Sequence, residues 1–365
     1  MHADGGIVQN KRSMWQGHPD VAYFNRQIYV TWRESENHKA NKDTSIKLTY
    51  PSNSDFTVFK SGTQTIFKSK TGRFNCPRLK VIGNKMWIIC DFVNSAKKSI
   101  QKEDDKGLFS GGKSSFVDAE NQVENTSILR KWTKDGTHWS DEIKTNMTGI
   151  LPDRIFPTKD NHFLVATHCF KNFMPESPAG SLVQSVWRTN DLESGSWIKH
   201  PIPQRVNLNL CEGSIVGDTH GKLMCIMREN SQKGLPAFVS FSVDQGRSWS
   251  DLHMTRLYGC HRPSVGRLNS GRYLITYRHQ VSSFKPNFWA RNVVAALVEP
   301  DEMFSPNPCQ DTIMYPLDHD NSQKPDGGYT GWVQLDNGSI YIVNYITKDH
   351  RRAYIRYYII REEDF

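Results

Sequence analysis

The stretch "CEGSIVGDTHGKLMCIMREN" (211–230) sets an acid, Glu212, ahead of a dense apolar run that ends on a base, Arg228. Two opposite charges at one end of a folded-back segment either pair with each other or face different parts of one bound molecule. His18, in "GHPDVAYF", is the side-chain type that titrates near neutral pH. It can donate to a carboxylate from one ring nitrogen, serve as a general acid/base, or sit satisfied by backbone groups at a strand start. Arginines recur beside turns and at strand ends: Arg33, Arg78, Arg154, Arg262 and Arg278. Gathered round one opening, they would focus positive potential and favour an anionic ligand. Taken singly, each reads equally well as a surface ion-pair partner. The seven cysteines (76, 90, 169, 211, 225, 260, 309) are odd in number and show neither CxxC nor Cys/His ligand spacing. Buried free thiols are therefore expected, with no disulfide frame, no metal site and no cofactor.

The elements that must carry these residues are strands. The chain has 365 residues, 37% of them apolar, with 18 Phe, 13 Tyr and 10 Trp. Polar turn clusters recur about every ten residues, and no long segment keeps a 3.6-residue apolar period, so helices should be few. One pattern, an apolar strand entered through a Gly/Asn/Asp turn, occurs six times: at 24–34, 82–92, 159–169, 219–229, 269–279 and 336–346. A short alternating segment precedes each turn, which makes six hairpins with room for further strands between them. The reading is an all-β chain, residues 1–365 forming one six-bladed β-propeller of four-stranded antiparallel blades, an architecture that leaves only short, protected edges. In such a ring the first strand of each blade lines the axis. Counting back from the turns brings His18, Asn75, the Asp153/Arg154 region, Glu212, Arg262 and Tyr329 to one mouth.

A second repeat follows the hairpins. "SVDQGRSW" (242–249) has the form Ser-x-Asp-x-Gly-x-x-Trp, with looser versions in "TKDGTHW" (133–139) and "TNDLESGSW" (189–197). Here an Asp caps backbone N–H groups, Gly takes a positive φ, and Trp buries its ring. This turn resembles the Asp-box (BNR repeat) of the sialidase (neuraminidase) superfamily, and with the six hairpins the resemblance spans nearly the whole chain. Its last blades look most like uncharacterised bacterial sialidase-like proteins. "CEGSIVGD…REN" resembles the family's Asn-Glu-Gly stretch with the arginine-ended strand after it, and "GGYTGWVQL" its Gly-Tyr-Ser segment. The resemblance implies Tyr329 as nucleophile, Glu212 as the carboxylate that polarises it, and Arg228 as part of a clamp on the substrate carboxylate. By position it implies Asp43 as acid/base and Arg291 as a further clamp arginine. A tyrosine with a carboxylate to take its proton is a workable nucleophile, and one that starts neutral avoids repelling an anionic sugar.

The chain also departs from the family. Sialidases open their first blade with Arg-Ile-Pro, whose arginine belongs to the clamp; here "GHP" places His18 there, and imidazole lacks the guanidinium's fork and permanent charge. Arg33, Arg78, Arg154, Arg262 and Arg278 are the basic residues that could compensate, and all but Arg154 are taken as substrate-binding candidates. The leading expectation is an exo-acting glycoside hydrolase that releases a terminal acidic sugar, sialic acid or a related ulosonic or uronic acid. The alternatives are a rhamnose–glucuronate hydrolase or a polysaccharide lyase using His18, and a non-catalytic glycan-binding propeller. The expected partner is an acidic oligosaccharide or glycoconjugate. The net charge of +8 is scattered, with no basic run beside a stacking platform, so no nucleic acid is expected. No run of 18 apolar residues exists, so no membrane span is expected either. "MHADGGIVQNKRS" lacks the apolar centre of a secretory signal, which reads as cytoplasmic, or as secreted or periplasmic if a signal has been removed.

Overall fold

The computed structural model describes residues 4–59, 62–94, 126–170, 182–231, 233–282, 289–348 and 350–365. Six antiparallel sheets follow one another round a ring. Blade 1 runs Trp15–Phe24, Gln27–Ser35, Thr44–Thr49, Gln64–Ser69, from the axis outward. In blade 2 the inner strand is broken: Gly72–Phe74 and Arg78–Ile82 both pair with Lys85–Asn94, followed by Thr126–Thr133 and Ile143–Lys144. Blade 3 comprises Phe156–Pro157, Phe163–Phe170, Leu182–Thr189 and Ile198–Pro201. Blade 4 comprises Leu210–Gly217, Leu223–Glu229, Pro236–Ser242 and His253–Tyr258. Blade 5 comprises Cys260–Arg267, Tyr273–Ser282, Trp289–Val298 and Met314–His319. Blade 6 takes Thr330–Gln334, Ile340–Ile346 and Tyr354–Ile360 from the end of the chain and its outermost strand, Asp4–Gln9, from the beginning. That pairing closes the ring, and the sequence reading did not anticipate it.

The apolar core lies between blades. Six clusters of buried side chains each join two neighbouring sheets: Trp87 and Ile128 of blade 2 with Val165 and Trp187 of blade 3, for example, or Trp15 and Ile28 of blade 1 with Tyr341 and Val343 of blade 6. A middle strand is therefore covered on both faces, which is why "IYIVNYI" (340–346) is buried at every position and shows no in/out alternation. Polar staples join neighbouring inner strands. Asp20 Oδ2 accepts from the Leu79 amide at 2.8 Å, and Asp153 Oδ2 from the Ile215 amide at 2.9 Å.

The three Asp-Gly-Trp turns join third to fourth strands in blades 2, 3 and 4. In the last of them Asp244 Oδ1 accepts from the amides of Arg247 and Ser248 at 3.0 and 2.9 Å, Ser242 Oγ accepts from the Gly246 amide at 2.8 Å, and Trp249 is buried. Gly246 has φ +85°, and a Cβ there would sit 2.7 Å from Leu164 Cδ1 of blade 3, so the turn also seats one blade on the next. The helix Pro300–Met303 is a single turn.

Candidate active site

One backbone device repeats at the same end of the inner strands. In blades 1, 4 and 5 the first strand pairs regularly up to Gly17, Cys211 and His261, which lie opposite Arg33, Arg228 and Arg278. The register then slips and resumes at Asp20, Ser214 and Ser264. Inside each slip stands a residue with left-handed φ: His18 at 55°, Glu212 at 51° and Arg262 at 52°. A bulge re-aims its side chain, and a non-glycine residue held at positive φ carries strain of roughly 1–3 kcal/mol that the surrounding structure must absorb. Gly213 completes the bulge of blade 4, because a Cβ there would lie 2.9 Å from Cys225 Sγ and Gln184 Cδ. A positive φ falls likewise on Leu151, at 51°, in blade 3 and on Gly328, at 98°, in blade 6. The ring read from the sequence is corrected at these two blades: Asp153 and Arg154 lie two and three residues past the bulge residue, and Tyr329 lies one past it.

These bulges bring Glu212, Arg228, Arg278 and Tyr329 into one buried cluster from three blades. Tyr329 Oη donates to Glu212 Oε1 at 2.6 Å. Arg228 Nη1 lies 3.0 Å from Glu212 Oε2 and 3.2 Å from Tyr329 Oη, while its Nη2 donates to Asn230 at 2.6 Å. Arg278 Nη2 donates to Tyr329 Oη at 3.2 Å and to His261 Nδ1 at 3.0 Å, and its guanidinium carbon stands 4.3 Å from the Tyr329 ring centre. Burial alone would raise the Glu212 carboxyl, but Arg228, then Arg278 and the Tyr329 hydroxyl outweigh it and hold the group at about 2. Burial pushes the Tyr329 phenol well above its ordinary value, Glu212 adds to that, and the two arginines only partly offset it. The proton therefore rests on tyrosine, hydrogen-bonded to an ionised acceptor. His168 Nδ1 accepts from the Glu212 amide at 3.2 Å, and burial, aided by Arg262 and Arg228 against the pull of Glu212, keeps its imidazole neutral at about 3.

Beside this cluster lies an aromatic shelf. The His18 ring stacks on Tyr329 at 5.3 Å and 23° and meets Trp15, His38 and Tyr345 edge-on. Burial first, then His38 and Arg33, push its pKa far down, so it is a neutral imidazole. Both ring nitrogens are buried without a hydrogen-bond partner among the described residues. Asp326, on the segment leading into blade 6, ties the shelf together. It accepts from Trp15 Nε1 at 2.8 Å, Arg291 Nη1 at 3.0 Å and Tyr345 Oη at 3.4 Å, and it lies 3.0 Å from His38 Nδ1. Burial opposes its charge, but His38 and Arg291 outweigh that and hold its carboxyl far below the usual range.

The remaining sequence candidates are placed elsewhere. Arg78 Nη1 donates to the Thr330 carbonyl across blade 1, and Arg262 donates to the carbonyls of Leu151 and Pro152 across blade 4. Arg154 reaches from blade 3 to Asp20 and to the Trp332 carbonyl of blade 6. These three guanidiniums lace the axis, so Arg78 and Arg262 are spent on backbone carbonyls instead of standing open to a ligand. Arg33 is buried beneath Trp15, 5.1 Å from its ring centre, and donates to the Ala40 carbonyl. Asp43 is exposed at the start of Thr44–Thr49 and shares no bond with the cluster among the described residues. Trp15, Tyr345, His261 and Asp326 were not singled out from sequence, and His38 was noted only as lying on the loop after Arg33, with no role; no local motif marks any of the five. All seven cysteines are buried free thiols, and among the described residues no group of three or more His, Cys, Asp or Glu side chains is set to hold a metal ion.

No protein-family model matches the chain, and no curated protein matches its sequence. Solved structures do. A protein of unknown function from Dyadobacter fermentans aligns at 16% identity over 97% of both chains, with a TM-score of 0.74. The Hadza microbial sialidase Hz136 aligns at 14% identity over 99% of this chain and 69% of its own, with a TM-score of 0.69. A Trypanosoma rangeli sialidase, solved with sialic acid, aligns at 11% identity over 97% of this chain and 58% of its own, with a TM-score of 0.63. At such identities the likeness is one of fold: this chain carries the six-bladed propeller of the sialidases.

Proposed function

We propose that the protein is an exo-acting glycoside hydrolase that releases a terminal acidic sugar through a tyrosyl intermediate. The observation that carries this reading is the Tyr329 hydroxyl, 2.6 Å from an ionised Glu212 and within 3.2 Å of two guanidiniums. As Tyr329 Oη bonds to the anomeric carbon, its proton passes to Glu212 Oε1 and the glycosidic C–O bond breaks. The phenol's raised pKa and the carboxylate's low one forbid a standing phenolate, so the proton moves only as the new bond forms. Arg228 and Arg278 stabilise negative charge at that oxygen. The sugar's carboxylate would be taken by the same pair together with Arg291. Among the described residues these three guanidiniums face only two carboxylates, Glu212 and Asp326. A neutral nucleophile beside this surplus suits an anionic sugar. A covalent intermediate followed by attack of water gives retention of configuration.

The test is a mass-spectrometric screen of the purified protein against glycans carrying α-linked sialic acid, its deaminated analogue, the eight-carbon ulosonic acid and rhamnosyl-glucuronate. Wild type should release one terminal acidic sugar. Tyr329→Phe should lose at least a thousandfold in turnover with its melting temperature nearly unchanged, and full activity in that variant removes the tyrosyl mechanism. The neutral, unpartnered His18 stacked on Tyr329 favours a second reading, elimination from a uronate with imidazole as base. That reaction would generate an absorbing unsaturated product, whereas hydrolysis would not.

A further inference from the structure

Resting on that reading, we propose that His38, oriented by Asp326, is the acid/base that protonates the leaving oxygen and later activates water. His38 lies on the loop between Gln27–Ser35 and Thr44–Thr49, the same loop that carries Asp43. Its Nδ1 is within 3.0 Å of both Asp326 oxygens, and its ring is stacked on Trp15 at 4.8 Å and 21°. A carboxylate on Nδ1 fixes the tautomer and supports the imidazolium, leaving Nε2 to exchange the working proton. Among the described residues Nε2 has no hydrogen-bond partner, and the side chain is 40% exposed, so it opens on the space above the shelf. His38 and Tyr329 both contact the His18 ring, edge-on and stacked respectively, each 5.3 Å from its centre. An anomeric centre seated over His18 would be within reach of both, and retention requires the nucleophile and the proton donor to act from its two sides. In the first step Nε2–H passes its proton to the glycosidic oxygen as that bond to the anomeric carbon breaks. In the second, Nε2 takes a proton from water as the water oxygen bonds to the anomeric carbon, and Tyr329 leaves and regains its proton from Glu212. Asp43 is outside this arrangement.

The experiment compares two glycosides of whichever acidic sugar the screen releases, one with a 4-nitrophenyl and one with a simple alkyl leaving group. General acid catalysis contributes roughly 10²–10⁴-fold, so His38→Ala should lose about that much on the alkyl glycoside and less than tenfold in the first step on 4-nitrophenyl. Sodium azide should restore turnover of the latter and give a glycosyl azide of retained configuration. Asp326→Asn, which loses the carboxylate that orients the ring through Nδ1, should show the same leaving-group signature as His38→Ala, a larger loss on the alkyl glycoside than on 4-nitrophenyl. The other groups facing His38 are His18, Trp15 and Tyr345, with Arg33 behind Trp15 and Arg291 on Asp326, and none of them is altered. Asp43→Asn should stay within twofold of wild type. Equal losses on both glycosides in His38→Ala, or the leaving-group signature appearing in Asp43→Asn instead, overturns the assignment and leaves the tyrosyl reading intact. If wild type releases no sugar, the hydrolase reading falls and this assignment with it.

Discussion

Replacing Glu212 by glutamine tests the electrostatics of the centre apart from its chemistry. Glutamine keeps the shape and can still accept from Tyr329 and Arg228, so what is lost is the charge. The folded carboxyl sits at about 2 against 4.5 for the free group, which corresponds to about 3 kcal/mol at neutral pH. Because the folded value is depressed, this stability is present above the unfolded pKa and disappears as pH falls through the folded one. The deficit of Glu212→Gln relative to wild type should therefore be about 3 kcal/mol at pH 7 and roughly half of that or less by pH 3. Unfolding entropy is about 2.1 cal/mol/K per residue, so a chain of this length should show a melting difference of roughly 4 °C at pH 7. Calorimetry of both proteins at pH 7, 5, 4 and 3 reads the gap directly. Titration of other carboxylates is common to the two proteins and drops out of the difference. A gap that stays constant with pH would mean that the arginines do not hold the Glu212 charge, and the description of Tyr329's ionised partner would fail.

Two further outcomes follow from the architecture. His168 is neutral in the folded protein, with its pKa lowered to about 3 from 6.5, so the unfolded chain takes up a proton there first and stability falls as pH drops below 6.5. His168→Gln should remove about 2 kcal/mol of the loss between pH 8 and pH 5 seen by urea titration, and an unchanged slope would refute it. Deleting residues 4–9 uncovers the whole edge of Tyr354–Ile360; amide exchange should rise along that strand and light scattering should detect association, while a monomer with unchanged exchange would show that the edge is protected in another way.

The six hairpins were legible because a propeller's middle strands are covered on both faces, which leaves long apolar runs between polar turns. What could not be read was anything depending on a single residue of register. The count back from each turn reached His18, Glu212 and Arg262 correctly, since in those three blades the strand begins before the slip, but it ran past Leu151 and Gly328, because in blades 3 and 6 the regular strand begins only after that position, at Phe156 and Thr330. The closing strand was hidden for another reason. Asp4–Gln9 pairs with Tyr354–Ile360, a strand hundreds of residues away, and no local pattern marks such a partner. His38 and Asp326 lie 288 residues apart and meet only because blade 6 abuts blade 1.

Arg33, Arg228 and Arg278 occupy one register position in three blades, yet they do three different jobs, and the residue opposite each helps to explain why. Opposite Arg228 stands Cys211, followed by Glu212, whose carboxylate draws the guanidinium to the axis. Opposite Arg278 stands His261, whose neutral ring accepts one guanidinium N–H and so turns the fork toward Tyr329. Opposite Arg33 stands Gly17, followed by His18, which offers no charge; a Cβ on Gly17 would collide with the Trp15 indole, and that indole lies between Arg33 and the shelf. Blade 1 thus faces the opening with the His18 and Trp15 rings, its guanidinium held behind the indole, where blades 4 and 5 present charge directly. The positive potential is concentrated on one side of the opening, so an anionic sugar should enter with its carboxylate toward blades 4 and 5 and its leaving group toward the loop of blade 1. That orientation puts the scissile oxygen on the side of His38.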